Sequence, residues 1–198
     1  MIHQMSDSLT LYLVRNEYLD VQLQAMCQYK LERVLRTGLF LTVALLIALP
    51  THRCAEVLFF IGSSYLCRRR MGGYHVNSPS ICLICSLGVV FLNTIVIGPL
   101  MQRLMPVMTL IGTLLLDTLI FFLPPAYPRQ LHFTKTETDA NIQRKKHLAL
   151  FLAVIQIIAF LANKNTAAIY MFLGTLFAVI TIIISCIKLI KEKENERF

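Results

Sequence analysis

The sequence predicts an all-α integral membrane protein with about six transmembrane helices, preceded by amphipathic helices at the N-terminus. Composition is the first reason: 56 % of the 198 residues are hydrophobic and only 15 % are charged, against about 25 % in an average soluble domain. A mean hydropathy of +0.63 is the second reason. The third is that the apolar residues gather in six stretches separated by polar segments. This composition excludes both a soluble globule and a disordered chain.

The first 36 residues contain no span. Between Leu9 and Arg36, apolar and charged residues mix at a roughly helical period, which predicts one or two amphipathic helices lying on the membrane surface or against the bundle. The short apolar run and small-residue cleavage site of a signal peptide are not seen. We therefore expect an amphipathic cytoplasmic segment at residues 1–36 and a polytopic membrane domain at residues 37–198.

Six apolar stretches follow this segment: Leu39–Leu49, Ala55–Leu66, Ile81–Leu100, Leu104–Leu123, Leu148–Ala162 and Ala167–Ile190. A span needs about 20 residues, so the third, fourth and sixth stretches qualify directly. The fifth qualifies if His147 and the polar residues beyond the stretch count as interfacial ends. The first two are short and share the break Pro50-Thr51-His52-Arg53, so they form either two spans or one re-entrant pair.

The placement of basic residues favours six spans. With the N-terminus in the cytoplasm, 16 of the 19 Lys and Arg residues lie inside and only Arg53, Arg103 and Lys164 lie outside. This positive-inside bias predicts a cell-membrane protein whose two termini and two basic loops, Cys67–Ser80 and Pro124–His147, are cytoplasmic. In so apolar a chain, the net charge of +8 indicates loops that face anionic lipids, and we expect no nucleic-acid partner.

The first of these loops contains the strongest candidate for chemistry. Ser78-Pro79 predicts a helix start, because Ser caps a helix and Pro fits its first position. Cys82 then lies in the first turn, where the helix N-terminus and the run Arg68 to Arg70 favour a thiolate. Cys85 lies three residues further along, and we expect it to be more deeply buried and therefore less nucleophilic.

His75 is the natural base for Cys82. The Gly72-Gly73 pair lets the backbone turn, so that His75 can fold back over the helix start. A Cys–His pair is the minimal set for thiol acyl transfer, in which His takes the thiol proton and later gives it to the leaving amine. The structural alternative makes the arginine run a membrane stop signal, the glycines a turn and Cys82 a packing residue. Ser78 is either a helix cap, which we favour, or a third catalytic member.

The cysteine pattern does not favour a metal or redox site. Six cysteines are scattered through apolar segments, where Cys packs as a small hydrophobe, and we expect no disulfide. Cys82 and Cys85 form a CxxC pair, but a second ligand pair for zinc and a soluble redox context are not visible. The sequence also shows no Gly-rich phosphate loop, which argues against an ATPase. We expect no cofactor.

The stretch Arg68 to Ser86, with its basic residues, Gly-Gly-Tyr-His and a Cys seven residues after the His, resembles the accessory gene regulator B (AgrB) family. The chain length, the amphipathic N-terminus and the Pro124–Pro128 segment that opens a basic loop are also similar. The resemblance implies a membrane cysteine endopeptidase of Gram-positive quorum sensing. Such an enzyme removes the C-terminal tail of an AgrD-like precursor peptide and helps to make a cyclic thiolactone or lactone.

The resemblance also assigns residues. It implies that His75 and Cys82 are the catalytic pair, and it matches Arg68 and Gly73 to positions of the family motif. It implies a homodimer, and a peptidase domain at residues 37–198. The reaction it implies needs neither ATP nor a metal, because one thioester is exchanged for another of similar energy.

Three further polar residues have open roles. Lys145 and Lys146 either fix topology and contact lipid head groups or dock the acidic tail that the family's precursors carry. Asp117 lies deep in the fourth stretch, where a carboxyl needs a partner or a polar cavity. We expect structural hydrogen bonding or a dimer contact for Asp117, because its depth argues against a role in orienting His75.

The competing hypothesis is a non-catalytic polytopic membrane protein, such as a transporter subunit or an assembly factor. Its basic loops would only fix topology. A protein of that kind tolerates Ala at both Cys82 and His75, whereas an endopeptidase needs both side chains.

Overall fold

The computed structural model describes residues 2–72, 79–104, 106–124 and 135–195, which form helices joined by short turns and contain no strand. The helices are α1 (Ile2–Arg15), α2 (Gln24–Ala48), α3 (Cys54–Met71), α4 (Pro79–Leu92), α5 (Gly98–Leu104), α6 (Pro106–Phe122), α7 (Lys135–Leu161) and α8 (Asn165–Asn195). A π-helical turn, Asn93–Ile97, joins α4 to α5. The all-α prediction is confirmed for this part of the chain.

Three helical segments are long and apolar enough to cross a membrane: Val21–Thr51, Ile81–Arg103 and Asn165–Lys188. They correspond to the first, third and sixth predicted stretches, and the fourth contains a shorter apolar helix, Met108–Phe122. The second and fifth stretches lie on α3 and α7, whose charged ends leave fewer uninterrupted apolar residues. The described helices thus show three candidate spans and one shorter apolar helix, and a total of six spans stays a prediction.

The chain divides into two compact units, residues 1–47 and residues 48–198. In the first unit α1 runs antiparallel to the first half of α2. The amide of Gln28 donates to Asp7 at 3.3 Å, and the ring of His3 lies 3.5 Å from Glu32. The predicted boundary between residues 36 and 37 lies within α2 and stays a prediction.

Helix α1 packs with polar residues inward. Ser6 and Thr10 are fully buried, and their hydroxyls donate to backbone carbonyls one turn earlier at 2.8 and 2.7 Å. Met5, Leu9 and Tyr12 lie about half exposed on the other face. The helix is amphipathic, but its apolar side faces away from α2.

In the second unit α3 runs antiparallel to the continuous rod formed by α4, the π-helical turn and α5. At one end Arg68 of α3 lies near Cys82 of α4, and we call this the thiol end. At the other end Arg53, which precedes α3, donates to the Thr94 carbonyl at 3.0 Å and to the Tyr170 hydroxyl at 3.1 Å. We call this the tyrosine end.

Helices α6 and α7 also run antiparallel. At the thiol end the Lys145 ammonium of α7 donates to the Leu123 carbonyl, just past α6, at 2.7 Å. One hydrophobic cluster fills the space between α3, α6, α7 and α8. Its buried members are Cys67, Met71, Leu116, Ile120, Ala149, Leu152, Ala178, Val179 and Ile182.

Helix α8 runs parallel to α3. Tyr170, near the start of α8, contacts Arg53, and the Phe177 ring further along lies 6.0 Å from the Arg68 guanidinium. Together with the antiparallel pairs, this gives five helical passes that alternate in direction along the second unit. Alternation is what successive membrane passes require, and it agrees with the predicted order of stretches two to six.

Two glycines permit the close packing of α8. A Cβ atom at Gly174 would overlap the Ser63 hydroxyl and the Phe60 carbonyl oxygen of α3. A Cβ atom at Gly98 would overlap the Tyr170 hydroxyl. Small residues at these positions let the helix backbones approach, as is common between helices in membranes.

Candidate active site

The structure describes four of the seven predicted site residues, namely Arg68, Cys82, Lys145 and Lys146. The other three, Gly73, His75 and Ser78, lie outside the described residues. Their predicted roles therefore stay predictions, and the site is built here from the end of α3 and the beginning of α4.

Both helices reach the thiol end with favourable termini. Gly72 has a positive φ of 78°, and its N–H donates to the Arg68 carbonyl at 2.9 Å, which ends α3. The run Arg68 to Arg70 fills the last turn, where positive charge opposes the helix dipole favourably. Helix α4 is described from Pro79 onward. Since Ser78 lies outside the described residues, the start at Ser78-Pro79 stays a prediction. Cys82 lies in the first described turn, and backbone N–H groups in the first turn of a helix have no partner within it.

Arg68 and Cys82 interact electrostatically. Burial of the Arg68 guanidinium lowers its pKa, and a thiolate at Cys82 partly offsets this effect by raising it. The guanidinium also lies over the Phe177 ring, which favours the cation. Arg68 thus presents a partly desolvated positive charge to the thiol, where attraction between opposite charges is stronger than in water.

The two cysteines of α4 differ in exposure. Cys82 is partly buried, whereas Cys85 is exposed on the outside of the helix. The deeper apolar surroundings expected for Cys85 stay a prediction, because its exposed side lies within the candidate span Ile81–Arg103. A step of three residues rotates the side chain by about 60° from the original direction, which is enough to turn Cys85 away from the neighbouring helices.

The two lysines of α7 are engaged with the end of α6. The Lys145 ammonium is buried and donates to the Leu123 carbonyl, and its pKa is lowered by burial and by the nearby Lys146. Lys146 lies over the Phe121 ring at 5.1 Å from the centroid. Both cations stabilise the C-terminus of α6. Docking of a precursor tail by these lysines stays a prediction.

Asp117 lies nearer the thiol end than its position in an apolar stretch indicated. It is about one and a half turns before the end of α6, and its carboxylate interacts electrostatically with Cys67, the residue before Arg68. Only 5 % of its surface is exposed, and neither carboxylate oxygen has a hydrogen bond within the described residues. Sequence reasoning did not single out Cys67, because a lone cysteine in an apolar segment carries no distinguishing signal.

Within residues 2–72, 79–104, 106–124 and 135–195, no three His, Cys, Asp or Glu side chains are arranged to hold a metal ion.

Comparison with known proteins adds one match. The family model described as accessory gene regulator B matches residues 6–185 of the chain. No curated protein and no solved structure matches it.

Proposed function

Because the chain belongs to the accessory gene regulator B family, which takes part in agr quorum-sensing peptide processing and acts on the AgrD propeptide, we propose that it is a membrane cysteine endopeptidase. Its substrate is an AgrD-like precursor peptide, and its nucleophile is Cys82. The enzyme cleaves the C-terminal tail of the precursor and thereby allows the remaining peptide to cyclise.

The proximity of Arg68 to Cys82 carries this proposal. A cysteine nucleophile needs a positive environment that favours the thiolate. Cys82 has two sources of it, the Arg68 guanidinium and the N-terminus of α4. The exposed Cys85 points away from the packed side of the helix. A packing cysteine would need none of these features.

The reaction follows from this arrangement. The Cys82 thiolate attacks the scissile carbonyl carbon, and unpaired N–H groups at the start of α4 donate to the developing oxyanion. The C–N bond breaks, the tail leaves with a proton from His75, and an acyl-thioester remains on Cys82. A Cys or Ser side chain of the precursor then attacks the thioester carbon, which forms the thiolactone or lactone and regenerates the Cys82 thiol.

The setting of the reaction is the cytoplasmic edge of the cell membrane. Both termini and the thiol end face the cytoplasm, where the precursor is made, and six spans anchor the protein among membrane lipids. A homodimer is the working unit. The basic α7 segment around Lys145 and Lys146 contacts lipid head groups and the acidic tail of the precursor.

The test uses purified protein in liposomes with its precursor, and mass spectrometry of the released tail. Wild type and the matched control Cys85→Ala are expected to release the tail, whereas Cys82→Ala and His75→Ala are not. Equal release by all four proteins would show that Cys82 is not the nucleophile. No release by any of them, with the precursor bound, would favour a non-catalytic transporter subunit or assembly factor.

A further inference from the structure

Two polar side chains lie buried in the second unit without a hydrogen-bond partner. Asp117 on α6 is 5 % exposed and Gln156 on α7 is 1 % exposed. Both carboxylate oxygens of Asp117 and both polar side-chain atoms of Gln156 lack a hydrogen bond within the described residues. Burial of such groups without partners is strongly unfavourable. A buried polar group of this kind indicates a ligand, an ion or ordered water.

The surroundings of Asp117 supply further oxygen and sulfur atoms. Its carboxylate lies near the Cys67 thiol, which in turn contacts the Thr175 hydroxyl of α8. That hydroxyl donates its proton to the Met171 carbonyl at 2.9 Å, so its oxygen lone pairs can still accept or coordinate. Thr113, one turn before Asp117 on α6, is also buried. Asp117 makes no ion pair with any described Lys, Arg or His.

The register of α6 and α7 sets the distance between the two unpartnered groups. Counting 1.5 Å per residue from the contact between Lys145 and Leu123, Gln156 lies about 7 Å further from the thiol end than Asp117. Gln156 shares a helix face with Leu152 and Ala149, which pack in the same cluster as α6. A glutamine side chain covers about half of that separation. The glutamine side chain alone therefore does not reach the Asp117 carboxylate.

We propose that Asp117 and Gln156 bind a hydrated sodium ion in the interior of the second unit. Asp117 coordinates the ion through its carboxylate, and Gln156 holds a water of the hydration shell. A single carboxylate matches a single positive charge, whereas divalent cations in proteins usually recruit more acidic groups. Ionisable residues inside membrane helices commonly mark such ion sites.

The test measures thermal unfolding of the protein in lipid nanodiscs, at fixed pH and constant total salt, as sodium replaces choline. Because the chain contains no Trp, unfolding is followed by the loss of helical circular dichroism in the far ultraviolet. For wild type, sodium at ten times its dissociation constant is expected to raise Tm by about 3–5 °C. Asp117→Asn, which keeps the shape of the side chain, is expected to lose this dependence.

Two further measurements keep the proposal open to refutation. Gln156→Leu should raise the half-maximal sodium concentration at least about tenfold. Glu56→Gln removes a carboxyl from the other end of α3 and should leave it unchanged. Equilibrium binding of radioactive sodium, competed by unlabelled sodium, should show one site in wild type and none in Asp117→Asn. A wild-type Tm that is equal in sodium and choline, or binding that survives Asp117→Asn, would overturn the proposal.

Discussion

The two ends of α3 each present an arginine, and the partners of these arginines differ. Arg53 and Arg68 are about 22 Å apart along the helix axis. Arg53 donates to two neutral oxygens, the Thr94 carbonyl and the Tyr170 hydroxyl, and Tyr170 in turn donates to the same carbonyl at 3.2 Å. Arg68 interacts electrostatically with Cys82 instead. The first arginine joins three helical segments, and the second has a charge that can act on a reacting group.

The π-helical turn explains why a backbone carbonyl at the tyrosine end can accept hydrogen bonds from Arg53. Asn93–Ile97 widens the helix by one residue per turn, which disturbs the regular ladder of backbone hydrogen bonds. The Thr94 carbonyl accepts from side chains outside its own helix as a result. At the thiol end no such wide turn is needed, because the helix termini themselves supply unpaired backbone groups. We therefore expect substitutions at the tyrosine end to change stability and substitutions at the thiol end to change chemistry.

The variant that tests this comparison most strongly is Arg68→Gln. It removes the charge beside the thiol and should lower the rate of tail release at least about 100-fold. Folded protein should remain, as judged by gel filtration and by a Tm close to that of wild type. Arg69→Gln changes an exposed neighbour in the same helical turn and should leave the rate nearly unchanged. Equal rates for the two variants would remove Arg68 from the mechanism.

Among the changes that affect stability, substitution of Gly174 by alanine should lower Tm most. An alanine there places a Cβ against Ser63 and the Phe60 backbone, so α3 and α8 must separate, and Tm should fall by at least about 5 °C. Gly88→Ala is the matched control, since its Cβ would meet nothing within 4 Å, and its Tm should change by less than about 2 °C. Similar Tm values for the two variants would refute the close contact.

Arg53→Gln is expected to have the opposite effects to Arg68→Gln, lowering Tm while leaving the rate of tail release nearly unchanged. It removes two hydrogen bonds from a charged donor at the tyrosine end, and Tm should fall by about 5 °C. The rate of tail release per folded molecule should stay within about threefold of wild type, because a structural contact of this kind contributes equally to ground and transition states. A large loss of rate without a loss of Tm would contradict the division between the two ends.

The smallest effects are expected at the lysines of α7. Lys145→Met keeps the apolar stem but leaves the Leu123 carbonyl without its donor, and Tm should fall by about 3 °C. Lys146→Met removes only a half-buried cation–π contact and should lower Tm by about 1 °C. Thermal melting of the two variants side by side measures both changes in Tm. A larger fall in Tm for Lys146→Met than for Lys145→Met would contradict the roles assigned to the two lysines.

Local signals predicted local structure well. The apolar stretches predicted where helices lie, and the structure describes α4 from Pro79 onward. The number of spans was harder to predict, because Arg and Lys side chains at helix ends count against a span although they can lie at the membrane surface. The inward polar face of α1 was not predictable either, since hydroxyls such as Thr10 satisfy themselves by donating to their own helix backbone.

Long-range contacts account for what the sequence did not reveal. Arg53 and Tyr170 are far apart in the chain, and neither belongs to a motif. The neighbours Cys67 and Asp117 meet only because α3 and α6 share the core around α8. The side of α4 that Cys85 faces depends on where α3 packs. In each case tertiary packing decides the contact, and periodicity along a single helix does not contain that information.

The most direct test of the central claim is the alkylation rate of Cys82 by iodoacetamide at one fixed, neutral pH, followed by peptide mass spectrometry. The thiolate is the species that reacts. If the charge of Arg68 acts on Cys82, Arg68→Gln should slow alkylation of Cys82 about tenfold, while Arg69→Gln matches wild type. Equal alkylation rates for wild type and Arg68→Gln would contradict the claim that Arg68 activates the Cys82 thiol.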